Sequence, residues 1–124
     1  MKLVHDGLFQ VDPPALLGQR CRACGAPAFP RADACPLCGA SAPDPVVLSD
    51  TGTLWAWTEV TAPPPGYLGE VPFGFGIVEL PEEIRVITRL GGSVDDLEHG
   101  CVMTLRLVTL GHGDDAVMSW EFTR

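Results

Sequence analysis

Two cysteine pairs with the same internal spacing constrain the N-terminal third of the chain more than any other feature. The pairs read Cys-Arg-Ala-Cys and Cys-Pro-Leu-Cys, and ten residues separate them. Four thiolates in this arrangement can occupy the corners of a tetrahedron around Zn²⁺. A glycine directly after each pair tolerates positive φ and lets backbone N–H groups turn towards the sulfurs. We therefore predict a zinc site with four ligands: Cys21, Cys24, Cys35 and Cys38.

A metal site of this composition is predicted to be structural. Sulfur fills all four coordination positions, so no water is left for the metal to activate. The segment is poor in apolar residues, and the metal must therefore supply much of its folding energy. Iron in a rubredoxin-type site is the alternative that ligand chemistry leaves open, and two disulfides rank below it.

The acidic charge of the chain is concentrated in its second part. The 124 residues carry 16 acidic and 8 basic side chains, for a formal charge of −8. Residues 45–124 hold four of the arginines and twelve of the acidic residues, and so the whole −8. Such a surface repels nucleic-acid phosphates. We expect no nucleic-acid partner.

The sequence also bears on the compartment. No run approaches the roughly 20 apolar residues of a membrane span. The N-terminus lacks the apolar core of a secretory signal. We expect a cytoplasmic protein, where thiols stay reduced and paired cysteines favour metal binding over disulfides.

The chain before the cysteines and the chain after them differ in pattern. Asp12-Pro13-Pro14 resembles a helix N-cap followed by proline in the first turn, which predicts a short helical turn through Leu17. Ala42-Pro-Asp-Pro45 reads as a linker. We therefore predict two units, a ribbon within residues 1–44 and a β domain over residues 45–124.

Strand patterns dominate the second unit. Five strands are predicted, the first of them long and bent by a bulge at Gly52, over residues 46–60, 73–80, 84–90, 101–110 and 116–122. Within the first strand, alternation places Trp55 and Trp57 on one face. A mainly β protein follows, with a small rubredoxin-like zinc ribbon ahead of a five-stranded OB-fold barrel. A small β-sandwich is the competing architecture.

The loop between the first two predicted strands is distinctive. It covers twelve residues, Thr61 to Pro72, and begins with three consecutive prolines after Ala62. Proline limits the flexibility of the loop, which can therefore present Tyr67 and Leu68 at low entropic cost. The loop is either a binding element or a rigid cover over one mouth of the barrel.

Several segments together resemble a known family. They are LGQRCRACG (17–25), FP (29–30), CPLCG (35–39), GTLWAWT (52–58), VPFGFGIVEL (71–80) and WEF (120–122). In this order they are similar to the zinc-ribbon plus OB-fold proteins known as domain of unknown function thirty-five. Members of that family accompany thiolase-like enzymes.

The resemblance implies a non-catalytic subunit in a hetero-oligomer with a thiolase or a thiolase-like lipid-transfer aldolase, where it supports acyl-CoA chemistry. It directs attention to a set of partner-binding or coenzyme A-binding candidates: Trp55, Trp57, Tyr67, Leu68, Pro72 and Phe73. Arg85 and Arg89 are candidates for contact with the phosphates of a coenzyme A thioester at the shared interface.

No catalytic set stands out in the sequence. The serines occur in no nucleophile-elbow context, and no glycine-rich phosphate loop of the Walker kind is present. We expect no enzymatic activity from the chain alone. The alternative function is single-stranded nucleic-acid binding, which OB-folds and zinc ribbons also serve, although such binders combine stacking aromatics with a basic groove.

Overall fold

The computed structural model describes residues 7–124 and, for the backbone alone, Lys2–Leu3. The other residues of the N-terminus, to which the prediction of no secretory signal applies, lie outside this part of the chain. The described residues form two β-sheets that share one apolar core. Two short 3-10 helices, Val94–Asp96 and Gly113–Asp115, lie in connections. The prediction of a mainly β protein is confirmed.

The first sheet carries the ribbon. Its strands are β2 (Phe9–Val11), β3 (Pro14–Arg20), β4 (Pro27–Ala28) and β5 (Asp44–Val47). β3 is central and pairs antiparallel with each of the other three. It leads directly into the first cysteine, so the sheet fixes where the metal site begins.

The helical turn predicted after Asp12 is wrong. Val11 pairs with Pro14, so the Asp12-Pro13 step is the turn of the β2–β3 hairpin. Residues 15–17 are extended because β2 and β5 flank them on both sides and satisfy their backbone groups. Ala15 and Leu16 are buried, and this tertiary burial outweighs the local helix-start pattern.

The second sheet closes into the predicted OB-fold barrel. Its long strands are β6 (Thr51–Val60), β7 (Phe73–Glu79), β8 (Arg85–Leu90), β9 (Val102–Leu110) and β10 (Val117–Thr123). β1 (Lys2–Leu3) adds a parallel edge to β10. The order β10-β8-β7-β6-β9 is closed by an antiparallel pairing of β9 with β10. β8 and β10 meet in parallel at one pair, Leu90 with Phe122, and we call this junction the seam.

The single bent strand predicted over residues 46–60 is two strands in different sheets. β5 pairs with β3 in the ribbon sheet, whereas β6 belongs to the barrel. The bulge lies between Leu54 and Ala56 instead of at Gly52. Gly52 has a packing reason, because a Cβ there would lie 2.5 Å from the Glu79 carbonyl oxygen.

The core runs through both sheets without a break. The barrel contributes Leu54, Val78, Val86, Met103 and Phe122, and the ribbon side contributes Phe9 and Leu16, each buried. Trp120 of β10 joins the two units, since its ring lies 5.4 Å from that of Phe9 and 6.3 Å from that of Phe29. The barrel therefore supports the position of the ribbon through aromatic packing.

Among the residues that the structure describes, no helix is long and apolar enough to cross a membrane.

Candidate metal centre and partner-binding surfaces

The four predicted ligands converge at one point of the ribbon. Their Sγ atoms all lie within 4.8 Å of one another, with Cys21 and Cys38 3.5 Å apart and Cys24 and Cys35 3.7 Å apart. A tetrahedral ion with bonds of about 2.3 Å to sulfur requires separations of about 3.8 Å. The four thiols are free cysteines, as ligands require. The donor set therefore fits a tetrahedral metal ion.

Two turns of the same design hold these thiols. In the first, the N–H groups of Ala23 and Cys24 donate to the Cys21 Sγ at 3.3 and 3.4 Å. In the second, the N–H groups of Leu37 and Cys38 donate to the Cys35 Sγ at the same distances. Each turn ends at its glycine, with φ of 77° at position 25 and 79° at position 39. These glycines are there because the turn needs the left-handed conformation.

The electrostatics of the cluster favour a bound cation. The backbone N–H groups of Cys24 and then Ala23 lower the pKa of Cys21 to about 6, against the opposing effect of burial. At Cys38 the Ala40 N–H lowers the pKa, but the neighbouring Cys21 and Cys24 thiols and burial outweigh it and raise that pKa to about 11. Four thiols this close cannot all ionise without a compensating positive charge. A metal cation bound by the four sulfurs would supply that charge.

The outer face of β6, β7 and β8 is apolar where a barrel exterior is usually polar. Trp55 is 44% exposed, Phe75 37% and Ile87 64%. Ile77 pairs with Ile87 across the strands and continues the same surface. We call these four residues the apolar outer face. At one end of it the Arg85 guanidinium lies 4.2 Å from the Trp55 ring centroid and donates to Glu79 at 3.0 Å.

The two tryptophans of β6 do not share a role. Trp55 sits at the bulge and is exposed, whereas Trp57 is half-buried and packs against the core. The extra residue of the bulge breaks the alternation on which the prediction of a common face rested. Trp55 is the more exposed of the two, while Trp57 also lines a groove beside Phe75, Ile77 and Ile87.

The loop over residues 61–72 is fastened to the barrel by its tyrosine. The Tyr67 ring stacks on Phe73 with centroids 4.6 Å apart, and the Arg89 guanidinium lies 5.0 Å from the Phe73 centroid. Arg89 also donates from Nη1 to the Tyr67 hydroxyl. Gly69 has no Cβ because the Tyr67 ring occupies that space. Phe73 is buried by this arrangement, while Leu68 is 43% exposed.

The loop is thus a cover that also displays an apolar side chain, and both of its predicted roles are structurally compatible. Tyr67 and Phe73 serve the cover. Leu68 and Pro72 line a cleft beside it.

That cleft contains a network that the sequence did not reveal. The buried Glu121 carboxylate accepts from Arg89 Nε at 3.0 Å on one oxygen and from Arg106 Nε at 2.6 Å on the other. Arg106 faces Glu121 across the β9–β10 pairing. The local signal in the sequence is an acidic residue, Glu121, between Trp120 and Phe122. Its partners could not be predicted because they depend on strand register.

Family comparison covers both units. One model, "ChsH2, rubredoxin-like zinc ribbon domain", matches residues 11–44, and another, "ChsH2, C-terminal OB-fold domain", matches residues 45–109. The chain belongs to the ChsH2 family of zinc-ribbon and OB-fold proteins. The expected kinship with domain of unknown function thirty-five is confirmed as well.

Relatives of this ChsH2-family chain include enzyme-complex subunits. It is 29% identical to benzoylsuccinyl-CoA thiolase subunit BbsA of Thauera aromatica, over 90% of the chain and 77% of that protein. A DUF35 domain-containing scaffold protein of Methanocaldococcus jannaschii is 31% identical over 57% of the chain and 51% of that protein. The solved Ltp2-ChsH2(DUF35) aldolase superposes with a TM-score of 0.68 at 30% identity, covering 88% and 84% of the two chains.

The ChsH2-family architecture separates the predicted residues into three places. The cysteines form the metal centre. Trp55 belongs to the apolar outer face, with Arg85 at its edge, and Tyr67, Phe73 and Arg89 form one cluster where the loop meets the barrel. Arg85 and Arg89, predicted together as phosphate contacts, have different carboxylate partners, Glu79 and Glu121. Of these two arginines, Arg89 lines the cleft and Arg85 does not.

Proposed function

We propose that the chain is a non-catalytic accessory subunit that binds a thiolase or thiolase-like aldolase in the cytosol and supports its acyl-CoA chemistry. The observation that carries the proposal is the apolar outer face of the barrel. The names of the similar proteins, a thiolase subunit and an aldolase complex, suggest the class of partner.

The apolar outer face is the proposed docking surface. Trp55, Phe75 and Ile87 are exposed on adjacent strands, and contiguous apolar surface of this kind marks interaction sites. Tryptophan is common among residues that dominate binding energy. A second copy of a chain with charge −8 would bring like charge against like, which favours a different protein as the occupant.

The exposed loop residues form a second part of the proposed interface. Leu68 projects from a loop that Tyr67 holds in place, so the partner meets a side chain whose backbone is already ordered. Preorganisation lowers the entropic cost of association. We assign Leu68 and Pro72 to the rim of the interface.

A structural role for the ribbon agrees with this proposal. The cysteines offer four sulfur ligands to one ion, and we assign that ion as zinc because tetrahedral thiolate sites of this spacing suit it. An ion saturated by thiolates stabilises the fold of the ribbon and leaves the chemistry to the partner.

Co-purification tests the proposal. The tagged chain should bring down a thiolase-sized enzyme from its native cell, identified by mass spectrometry. Ile87→Asp places a charge in the apolar outer face and is expected to reduce recovery of the partner at least about tenfold. Val47→Asp is the matched control, since Val47 is similarly exposed, 56% against 64% for Ile87, but lies in the ribbon sheet.

Two results would count against the accessory role. One is a clean monomer in every native pull-down. The other is a loss of partner that is the same for both variants, which would reflect added charge instead of the docking surface. Metal content and denaturation midpoints of the two variants show whether each remains folded.

A further inference from the structure

The second half of β6 is a free edge of the barrel sheet. As far as Leu54 the strand is paired on both sides, with β7 on one side and with β9 and the Cys101 carbonyl oxygen on the other. Beyond Leu54 only β7 remains beside it. In the part of the chain that the structure describes, no backbone group bonds to residues 55–60 from the side opposite β7. We call residues 55–60 the free edge.

Strand register shows which backbone groups of the free edge are unpaired. The N–H of Leu80, directly after β7, donates to the Ile84 carbonyl oxygen, so position 80 faces β8. Backbone direction alternates along a strand, and the odd-numbered residues of β7 therefore face β6. Beyond the bulge, their partners are the even-numbered residues of β6: Ala56, Thr58 and Val60. The intervening Trp57 and Glu59 turn their N–H and C=O groups outward, away from the sheet.

Burial changes at the same place in β6. Residues 51–54 alternate between exposed and buried, as in a strand with one covered face. Thr58 and Glu59 are consecutive and so point to opposite faces, yet both are exposed. Lysine and proline commonly protect a sheet edge, and residues 55–60 contain neither. The backbone of the free edge is therefore open to a further strand.

Acidic side chains lie at both ends of the free edge. Glu59 is near one end. Glu98 belongs to the turn at the other end, because its carbonyl oxygen accepts from Cys101, whose own carbonyl oxygen accepts from Leu54. Both glutamates are exposed, and neither makes an ion pair within the described residues. A complementary strand would carry Lys or Arg near its ends.

Between its acidic ends the free edge adjoins the apolar outer face. Ala56 pairs with Ile77, and Thr58 pairs with Phe75. A strand added beside them would place alternate side chains next to Ala56 and Thr58. Apolar residues at those positions would continue the apolar outer face onto the new strand. The free edge and the apolar outer face thus form one continuous surface.

We infer that the free edge binds an extended segment of another protein by strand addition, a segment with basic side chains near its ends and apolar ones between them. The inference rests on the proposed function for the identity of that protein, the partner enzyme, and adds how it docks. In strand addition, main-chain hydrogen bonds supply affinity and alternate side chains supply specificity. A second copy of this chain, with charge −8, would bring like charge to the edge, which disfavours it.

Proline at the free edge tests strand addition. Glu59→Pro removes an outward N–H that has no partner within the described chain, so the fold should persist. The affinity for the purified partner, measured by biolayer interferometry, should fall at least about tenfold relative to Glu59→Ala, which keeps the N–H. Glu59→Ala should weaken binding about threefold at low salt and less at high salt, since it removes only the charge.

Val47→Pro is the matched control. The Leu48 N–H donates to the Leu16 carbonyl oxygen, so by alternation the N–H of Val47 points away from β3 at the edge of the ribbon sheet. This variant should bind the partner like the wild-type chain. Hydrogen exchange of the wild-type complex is a second measurement: the amides of Trp57 and Glu59 should gain at least about tenfold protection, and that of Val47 should gain none.

Each outcome bears on the inference. Wild-type affinity of Glu59→Pro, or an equal loss of affinity in Val47→Pro, refutes strand addition and leaves the proposed function intact. If Glu59→Pro does not fold, unchanged exchange of the Trp57 and Glu59 amides in the wild-type complex refutes it. Dimers of the chain that Glu59→Pro abolishes would make a second copy the occupant and overturn the inference. A recovered partner that is not an acyl-CoA enzyme but needs the free edge refutes the proposed function alone, and recovery of no partner refutes both.

Discussion

The ribbon and the barrel differ in what holds their functional residues together. In the ribbon, the metal ligands are close in sequence, and two short turns with the same hydrogen bonds position them. In the barrel, Arg89, Arg106 and Glu121 come from three strands and meet only because β8, β9 and β10 close at the seam. One site is made by local spacing and the other by long-range register.

The difference also sets how each site should fail. The ribbon has a small share of the core and depends on an ion for its folding energy. The barrel supplies most of the shared apolar core, so its polar network adds to a fold that burial already stabilises. Damage to the metal centre should therefore remove structure, while damage to the seam should lower the stability of a structure that persists.

Loss of a metal ligand is the largest expected effect. Cys38→Ser removes one of four thiolates, and structural zinc contributes on the order of 10 kcal/mol of apparent binding energy. We expect the metal to be lost and residues 20–40 to unfold while the barrel signals remain. Metal analysis with a two-dimensional amide NMR spectrum measures both.

Cys101→Ser is the matched control for that substitution. Cys101 packs at the edge of the barrel core and is not part of the metal cluster. The Cys101→Ser chain should keep one full equivalent of metal. A Cys38→Ser chain that kept its metal and its ribbon resonances would refute the comparison between the two units.

Removal of the buried carboxylate is the next largest effect. Glu121→Gln leaves Arg89 and Arg106 without a counter-charge, and breaking a buried ion pair costs about 3–5 kcal/mol. Because Arg106 is half-exposed, we expect about 2–3 kcal/mol. The midpoint of urea unfolding, followed by tryptophan fluorescence, gives the value, and the metal content should not change.

Glu79→Gln provides the contrast within the same barrel. Glu79 pairs with Arg85 at the same 3.0 Å, but both side chains are about half-exposed. Exposed ion pairs contribute less than about 1 kcal/mol. Equal destabilisation by the two substitutions would show that burial of Glu121 is not what makes the seam network important.

The sequence predicted the metal centre better than any other part because ligand spacing alone determines it. Cys21, Cys24 and the glycine that follows them supply both the metal ligands and the turn that positions those ligands. The barrel strands after residue 72 were also predictable, since alternation follows burial on one face. These features need no knowledge of distant parts of the chain.

The errors arose where distant contacts decide the outcome. Asp12-Pro13-Pro14 has the pattern of a helix start, yet pairing of the following residues with β2 on one side and with the distant β5 on the other makes them a strand. The bulge in β6 cannot be recognised from the local sequence, and it breaks the alternation that would place Trp55 and Trp57 on one face. Glu121 lies 15 residues from Arg106 and 32 from Arg89, so only the register of three strands brings them together.

The smallest predicted effect concerns the loop that joins the two kinds of organisation. Tyr67 is local to the loop, but its ring stacks on Phe73 and its hydroxyl accepts from Arg89 of the seam network. Tyr67→Phe keeps the stack but loses the hydrogen bond from Arg89 and the long one, 3.5 Å, to the Glu70 carbonyl oxygen, for an expected cost of about 1 kcal/mol. Tyr67→Ala also exposes Phe73 and should free the loop. Hydrogen exchange of residues 61–72 distinguishes these cases: protection should fall slightly in the first variant and strongly in the second. If Tyr67→Phe loses protection as strongly as Tyr67→Ala, the hydroxyl rather than the ring holds the loop. The cover would then depend on the seam network instead of on its own aromatic packing.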